Sequence, residues 1–279
     1  MSRSIPQQAQ LALLLEVAST PKPGNVDRHR DYEDLRFEHF LAGGVGALSG
    51  LEQAADPEEP LGDAFETAIA GMSEQEGGNT QFGAILLLTP LVRAAGRGDL
   101  SPAGGAAVVD ATTVADAAGF YRAFDHVDVA VDDPPAGMDD LDVRRGGAAV
   151  PALEAHGLTL ADVMARSAAV DTLAREYVDG FPRTFRMARR IEAGEGPVPD
   201  RAARAFLEQL AAEPDTFVAT QHDEATAARA TERAQAALAG EVDPDALGEA
   251  FVSGGINPGT TADLTAGALF VALVRGLQV

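Results

Sequence analysis

Apolar residues recur at helical spacing along almost the whole chain, and this periodicity restricts the possible folds more than any other feature. Residues 6–18 place Ala9, Leu13 and Val17 on one stripe of a helix, which Leu14 and Leu15 widen. Similar patterns with polar starts and Gly or Pro ends predict further helices at 101–124, from about Thr159, from about Asp171, and at 199–217, 223–240 and 243–255. The periodicity therefore predicts an all-α protein.

Two segments refine this prediction. Residues 260–276 are apolar on nearly every face, so we expect them to form a helix through the centre of the fold. Residues 126–133 alternate with a period of two, but no second strand pairs with them, so we interpret them as an extended loop or irregular helix. Pro182 should bend or break the helix that starts near Asp171. We expect one compact multi-helix domain over residues 1–279.

The charge of the chain limits its partners and its environment. Acidic residues number 43 against 21 basic ones, a formal net charge of −22, and Lys22 is the one lysine among the basic residues. Scarce lysine with abundant small residues indicates adaptation to molar salt, in which a like-charged surface is screened. We therefore predict a halophilic, archaeal-type protein. The chain also lacks a basic stripe that could bind phosphates, so we do not expect a nucleic acid as a partner.

The cysteine count and the hydropathy pattern predict a soluble cytoplasmic protein. No cysteine is present, which excludes a disulfide framework, a thiolate nucleophile and a zinc–thiolate site. The apolar run near the N-terminus is short and is interrupted by Glu16, so it matches neither a signal peptide nor a membrane span. The sequence leaves the oligomeric state open, a homo-oligomer included.

Four polar segments that contain glycine interrupt the helical pattern, and each adjoins an apolar helix. They are residues 20–34, 76–88, 213–225 and 254–267. Helix N-termini carry unpaired N–H groups and a partial positive charge, so such segments favour anion binding. An ordinary helix cap explains any one of them equally well, but two glycine-rich caps together with a lysine between prolines favour a ligand site.

Particular side chains in these segments carry the chemistry. Asn79 or Thr80 should cap a helix that opens with Phe82, and Thr260 or Thr261 should cap the last helix. A carboxylate beside phosphate-binding groups is explained if it holds Mg²⁺, which prefers oxygen ligands. The acidic residues that these segments contribute are Asp27, Asp34, Asp215 and Asp263. The five histidines lack metal-ligand spacing; His222 could carry a proton, but surface histidines at helix ends are commoner.

Four stretches together resemble the motifs of the triphosphoribosyl-dephospho-CoA synthase family. They are EVASTPKPGNVDR, GGNTQFGAILLLTPL, PDTFVATQHD and NPGTTADLTAG, and the resemblance runs from about residue 10 to the C-terminus. It implies an all-helical transferase that moves the 5-triphosphoribosyl group of ATP to the 2′-hydroxyl of 3′-dephospho-CoA and releases adenine. The motif positions occupied here are Lys22, Pro23, Gly24, Asp27, Arg28, Asp34, Asn79, Thr80, Gly83, Asp215, Pro258, Gly259 and Asp263.

The resemblance and the chemistry of the side chains together assign expected roles. Catalysis is assigned to Asp34, Asp215 and Asp263. Nucleotide and phosphate binding is assigned to Lys22, Gly24, Arg28, Asn79, Thr80, Gly259 and Thr260. The expected Mg²⁺ ligands are Asp27, Asp34 and Asp263.

The chain also departs from the bacterial family pattern, and two alternatives stay open beside the leading one. HRDYEDL replaces a histidine-bearing element after residue 28, and Phe217 stands where bacterial members carry Asn. One alternative is a related transferase of an archaeal coenzyme pathway that uses ATP with another acceptor. The other is a helical nucleotide-binding protein or phosphohydrolase, which would release phosphate instead of adenine.

Overall fold

Every regular element of the described chain is helical. The computed structural model describes residues 3–134 and 138–279. Its α-helices are α1 (Ile5–Ala18), α2 (Phe37–Gly46), α3 (Leu48–Ala55), α4 (Leu61–Met72), α5 (Phe82–Gly96), α6 (Pro102–Asp110), α7 (Val114–Arg122), α8 (Val150–His156), α9 (Leu160–Ser167), α10 (Thr172–Asp179), α11 (Pro182–Ala193), α12 (Val198–Leu210), α13 (Thr216–Gln221), α14 (Glu224–Leu238), α15 (Pro244–Ser253) and α16 (Gly259–Val274). Short 3-10 helices span Ala123–Asp125, Asp139–Leu141 and Val143–Ala149. No strand occurs in these residues, and the all-α prediction is confirmed.

Helix α16 runs through the centre of the fold, as its sequence predicts. Almost every side chain between Thr260 and Leu273 is buried, because α1, α5, α11 and α12 pack around it. Gly267 lets α11 approach closely, since a Cβ there would lie 3.1 Å from Thr184 Cγ2. A helix that is surrounded on all sides must be apolar on all sides, which explains the absence of a polar face.

Helix α1 forms one wall of this core. It begins at Ile5, one residue before the predicted start, because Ser4 and Gln7 form a capping box. The predicted stripe of Ala9, Leu13 and Val17 is fully buried. Since α1 also packs against α16, the C-terminal end of α1 brings Glu16 beside the N-terminal end of α16.

The chain breaks between α10 and α11, at the position predicted from Pro182. Helix α10 ends at Asp179, and Gly180 and Phe181 both adopt left-handed backbone conformations, with φ of 76° and 61°. The ring of Phe181 is fully buried and fills the space above Gly105, where a Cβ would lie 2.8 Å from it. This burial stabilises a backbone conformation that is uncommon for a residue with a side chain.

The segment 126–133 contains no regular structure, which confirms its interpretation as an extended loop. It lies near α13, where the Thr220 hydroxyl donates a hydrogen bond of 3.3 Å to Asp132 Oδ2. Among the described helices, none combines the length and the apolar character that a membrane crossing needs.

Candidate active site

Residues from all four glycine-bearing segments line one cavity of about 660 Å³. Asn25 comes from the first segment, Asn79 from the second, Phe217 from the third and Asp263 from the fourth. Helices α5, α10, α13 and α16 all begin at its wall. The segments are up to about 240 residues apart in sequence, and the helix packing around α16 brings them together.

The first and fourth segments are joined directly. The Asn25 side-chain amide donates a hydrogen bond of 3.0 Å to Asn257 Oδ1. Gly24 has a φ of 80°, and a Cβ there would lie 2.2 Å from the carbonyl oxygen of Ile256. The Tyr32 hydroxyl also donates to the Gly24 carbonyl. Gly24 thus permits the close approach of two backbone segments and does not itself line the cavity.

Asp215 ties the N-termini of two helices together. Its Oδ1 accepts hydrogen bonds of 2.9 and 3.1 Å from the N–H groups of Phe217 and Val218 in α13. Its Oδ2 accepts two bonds of 2.7 Å from the N–H and hydroxyl of Thr261 in α16. Burial raises the pKa of Asp215, whereas these bonds lower it. The carboxylate lies behind the cavity wall, so in this structure it positions α13 and α16.

The prediction that Thr260 or Thr261 caps the last helix is wrong. Helix α16 begins at Gly259, so Thr260 and Thr261 lie in its first turn, and neither side chain caps it. Thr260 Oγ1 instead accepts a hydrogen bond of 3.2 Å from the Phe217 N–H. It also lies 3.2 Å from the hydroxyl of Thr216, in α13. Both threonines fasten α16 to α13, and Thr260 and Gly259 also line the cavity.

Asp263 projects from α16 onto the N-terminus of α5. A Cβ on Gly83 would lie 2.0 Å from Asp263 Oδ2, so glycine is what admits the carboxyl group there. Burial raises the pKa of Asp263 well above its usual value, and the nearby charge of Glu16 raises it further. The N–H of Ala84, in the first turn of α5, partly opposes this by donating to the carboxyl group.

The N-terminus of α5 also holds two of the predicted binding residues. The N-cap of α5 is Gln81 and not Asn79 or Thr80, so that predicted cap is wrong, although Asn79 Oδ1 accepts a hydrogen bond of 3.1 Å from the Phe82 N–H. Thr80 lines the cavity, and its hydroxyl is buried without a partner among the described residues. The Gln81 side-chain oxygen, next to it, is unpartnered in the same way. Both oxygens lie against α2, since a Cβ on Gly43 would be 2.6 Å from Thr80 Oγ1 and one on Gly44 would be 3.5 Å from Gln81 Oε1.

Lys22 lies behind the cavity wall instead of facing a ligand. Its side chain is 0% exposed, and its ammonium group donates to the carboxylate of Glu16 and, at 2.8 Å, to Asn25 Oδ1. Glu16 and Asn25, in contrast, line the cavity. Burial raises the pKa of Glu16, although Lys22 acts to lower it. The lone lysine therefore supports two groups that face the cavity.

The structure does not bring the three expected metal ligands together. Asp27 is fully buried, and its oxygens accept from Thr20 Oγ1 at 2.8 Å, from the His29 N–H at 2.8 Å and from Arg30 Nη1 at 3.1 Å. Asp34 is exposed and lies off the cavity, so it does not meet Asp263. Within residues 3–134 and 138–279 no three acidic, His or Cys side chains form a metal-binding group.

Two further candidates lie away from the cavity. Arg28 is exposed, and its guanidinium group donates a hydrogen bond of 3.1 Å to the carbonyl oxygen of Ala18. His222 is also exposed, with Nε2 lying 3.0 Å from the carbonyl oxygen of Gly255. Their predicted roles would need a ligand that extends beyond the cavity.

Sequence reasoning missed several groups at the site. Asp171 caps α10 by accepting a hydrogen bond of 2.6 Å from the Ala174 N–H, and burial raises its pKa. The sequence around Asp171 indicates only that a helix starts there. In the sequence, Glu16 stands out only as an acidic residue that interrupts an apolar run. Its position shortly before the segment that contains Lys22 is the pattern that could have indicated a role at the site. No sequence pattern indicated the apolar lining of the cavity, which comes from α7, α9 and residues 129–134 and 138–143.

The charge of the lining is strongly acidic. In the part of the chain that the structure describes, one basic residue, Arg166, lines the cavity. The acidic lining residues are Glu16, Asp132, Asp133, Asp142, Asp171 and Asp263. An anionic ligand therefore needs an accompanying cation, because so many carboxylates would otherwise repel it.

Comparisons with known proteins agree with this geometry. The family model described as ATP:dephospho-CoA triphosphoribosyl transferase matches residues 2–279. The fold is similar to a crystal structure from Archaeoglobus fulgidus, of a protein provisionally described as triphosphoribosyl-dephospho-CoA synthase. The two chains share 24% identity over 85% of this chain and 100% of the other, with a TM-score of 0.68. Among curated proteins none matches the chain.

Proposed function

This chain belongs to the ATP:dephospho-CoA triphosphoribosyl transferase family, and from that premise we propose that the 660 Å³ cavity is its active site. The proposed reaction moves the 5-triphosphoribosyl group of ATP to the 2′-hydroxyl of dephospho-CoA and releases adenine. The observation that carries this assignment is the position of Asp263. Its carboxyl group lies in the cavity, against the N-terminus of α5, where burial and then the charge of Glu16 raise its pKa.

The reaction needs a proton acceptor near neutral pH. The bond between ribose C1′ and adenine N9 breaks, and its electron pair leaves with adenine. The acceptor oxygen O2′ bonds to C1′ and loses its proton, and adenine takes up one proton, so the overall reaction is balanced. A carboxyl group with a raised pKa is a stronger base than an ordinary one, so Asp263 suits the transfer of the hydroxyl proton.

The acidic lining also suits the developing charge at C1′. As the bond to adenine weakens, the ribose ring acquires oxocarbenium character, which a nearby carboxylate stabilises. Glu16 and Asp171 line the cavity with Asp263, and both contribute to the raised pKa of Asp263. Because the three carboxyl groups line the same cavity, we assign the stabilisation of the charge at C1′ to this cluster.

Magnesium fits the site as the cation that accompanies ATP. Glu16 and Asp263 offer carboxylate oxygens, and their repulsion is the condition that a divalent cation relieves. Mg²⁺ commonly binds through one or two carboxylates and substrate phosphates, so a three-residue cage is not required. When bound, the ion supplies charge neutralisation for the triphosphate. Lys22 keeps Glu16 directed to this position through its hydrogen bond.

The cytoplasm is the proposed location, as the sequence predicts. The donor of the proposed reaction is ATP. The chain has no cysteine, so disulfide bonds could not stabilise it in an oxidising compartment.

A turnover experiment tests the proposal. In molar KCl with ATP, Mg²⁺ and dephospho-CoA, the protein should release free adenine and form one product of the corresponding mass. Asp263→Asn should lower kcat by about 10²- to 10⁴-fold with an unchanged circular dichroism spectrum. Glu33→Gln, an exposed acid of the first segment, is the matched control and should keep the wild-type rate. Asp34→Asn, measured alongside, decides whether this exposed residue takes part as the sequence predicts.

Two results would contradict the proposal. One is release of phosphate instead of adenine, or release of adenine that does not depend on dephospho-CoA. The other is a wild-type rate for Asp263→Asn, which would separate the carboxyl group from the reaction.

A further inference from the structure

One half of the cavity is lined by apolar residues that belong to none of the four glycine-bearing segments. We call it the apolar arm, and its lining is Phe120, Tyr121, Val129, Leu141, Val163 and Met164. These residues come from α7, α9 and the stretches 129–134 and 138–143. Helix α7 packs against α9, so they form one continuous wall. An open apolar wall next to a charged site is unfavourable unless a ligand covers it.

The rim of the apolar arm combines exposed apolar surface with charge of both signs, because Asp132, Asp133 and Asp142 line the cavity near Val129 and Leu141, as Arg166 does. Val170 is 60% exposed at the cavity, although most large apolar side chains of the protein are buried. Ala169, next to it, is exposed and also lines the cavity. Arg166 lies one helical turn earlier, and within the described chain it forms no ion pair. Its Nη1 is 3.9 Å from Met138 Sδ, a weak contact that leaves the guanidinium group available.

The two substrates differ in the features that would distinguish the halves of the cavity. ATP has no long apolar part, and its triphosphate needs the Mg²⁺ and carboxylate end. Dephospho-CoA carries a diphosphate followed by a pantetheine chain with two methyl groups, two amides and a thiol. A diphosphate suits one guanidinium group, which binds it through two parallel hydrogen bonds. The methyl-bearing chain suits the apolar arm.

We propose that the apolar arm is the acceptor subsite, with its wall holding the pantetheine chain and Arg166 holding the diphosphate. This assignment rests on the proposed function, because it takes dephospho-CoA as the acceptor. It divides the cavity into an acidic half around Glu16, Asp171 and Asp263 for MgATP and an apolar half for the acceptor, in which Arg166 offsets the charges of Asp132, Asp133 and Asp142. The acceptor 2′-hydroxyl then enters the acidic half at Asp263.

Steady-state kinetics with two acceptors and two variants test this division. ADP keeps the adenosine 2′-hydroxyl and a diphosphate but lacks the pantetheine chain. Arg166→Gln should raise the KM of both acceptors about tenfold to a hundredfold and leave the KM of ATP unchanged. Ala169→Trp should fill the rim and raise the KM of dephospho-CoA at least about tenfold, with little effect on ADP. Arg145→Gln removes an exposed charge outside the cavity and is the matched control.

Binding without turnover separates this proposal from the proposed function. Calorimetric titration of dephospho-CoA into the Asp263→Asn variant should show binding, and adding Arg166→Gln should weaken it by the same factor as the KM change. An equal rise in the KM of ATP in Arg166→Gln would overturn the subsite, as would equal effects of Ala169→Trp on both acceptors. If the wild-type protein turns over dephospho-CoA but the variants give these outcomes, the proposed function stands and the proposed subsite is contradicted. Wild-type protein inactive on dephospho-CoA loses the function itself.

Discussion

The side chain of Lys22 lies entirely inside the protein, where it is paired with Glu16 and Asn25. The sequence suggests a phosphate ligand, because lysine is a compact charge in a chain that otherwise uses arginine. The structure gives a different reason for its compactness. A buried ammonium group fits between a carboxylate and an amide, whereas a planar guanidinium group is too wide for the same space.

Lys22→Met should therefore reduce stability as well as activity. Removing one partner of a buried ion pair leaves an uncompensated charge and costs about 3–5 kcal/mol of the free energy of unfolding. Glu16→Gln together with Lys22→Met should cost less than the sum of the single changes, because no lone charge remains. Urea unfolding in molar KCl measures both. A variant of wild-type stability whose one defect is a higher KM for ATP would instead favour direct phosphate binding.

Asp263 should make the stability of the unliganded protein depend on pH. Its pKa is raised in the folded state by burial and neighbouring carboxylates, so between the unfolded and folded pKa values the folded protein holds the additional proton. The free energy of unfolding then falls as pH rises through this interval, by up to about 1.4 kcal/mol per pH unit for one proton. Asp263→Asn should flatten this decline, which urea unfolding across an acidic-to-neutral pH series measures.

Asp223→Asn is a control, because it should change the pH dependence of the free energy of unfolding in the opposite direction. Hydrogen bonds from Thr226 lower the pKa of Asp223, so its contribution to stability is present above the unfolded pKa and is lost as pH falls. The same pH dependence in Asp263→Asn and wild type would show that the Asp263 proton is not linked to folding.

The helices at the site are arranged so that carboxyl groups occupy their N-termini. Asp171 lies at α10, Asp215 at α13 and α16, and Asp263 at α5. Backbone N–H groups and the helix dipole favour negative charge at such positions. These helix ends are thus engaged by the protein's own acids, which makes the cavity a site for cations and for anions accompanied by a cation.

The contact between α16 and α5 depends on Gly83, and Gly83→Ala should disturb catalysis. The added methyl group would displace the Asp263 carboxyl group, because the new Cβ would lie only 2.0 Å from Asp263 Oδ2. A displacement of about 1 Å at a reacting group typically lowers kcat about 10²-fold. Gly194→Ala, where a Cβ would lie 3.1 Å from Cγ of the flexible Arg201 side chain, is the matched control and should keep its rate. Equal kcat values for both variants would mean that the position of Asp263 does not limit the reaction.

The net charge of −22 acts on the whole molecule, and it predicts that folding requires salt. At 1 M salt the screening length is about 3 Å, but it exceeds 10 Å below 0.1 M, where the acidic residues repel one another. Far-UV circular dichroism with thermal unfolding across a KCl series should show loss of the cooperative transition on dilution. A transition at 50 mM KCl equal to the one in molar KCl would contradict the halophilic prediction.

Local patterns in the sequence were sufficient for some of the helices. Helices α2, α3, α4 and α8 were not predicted, and the helices predicted at 101–124 and 199–217 each divide in two, into α6 and α7 and into α12 and α13. Period, caps and prolines identified α1, α16 and the break at Pro182, because they act over a few residues. The apolar character of α16 also determined its central position. The boundaries of the single domain, residues 1–279, stay a prediction of the sequence.

The sequence by itself determined the helical class, the acidic surface and the family, since each is recorded in residue identity and spacing. Only the tertiary structure decided which polar groups face the ligand. Lys22, Asp27 and Asp215 belong to the motif segments, yet they lie behind the wall, whereas Glu16 and Asp171 line it. The reason is physical: whether a carboxylate meets a ligand or a neighbouring N–H depends on helices brought together from distant parts of the chain, and no local pattern encodes that direction.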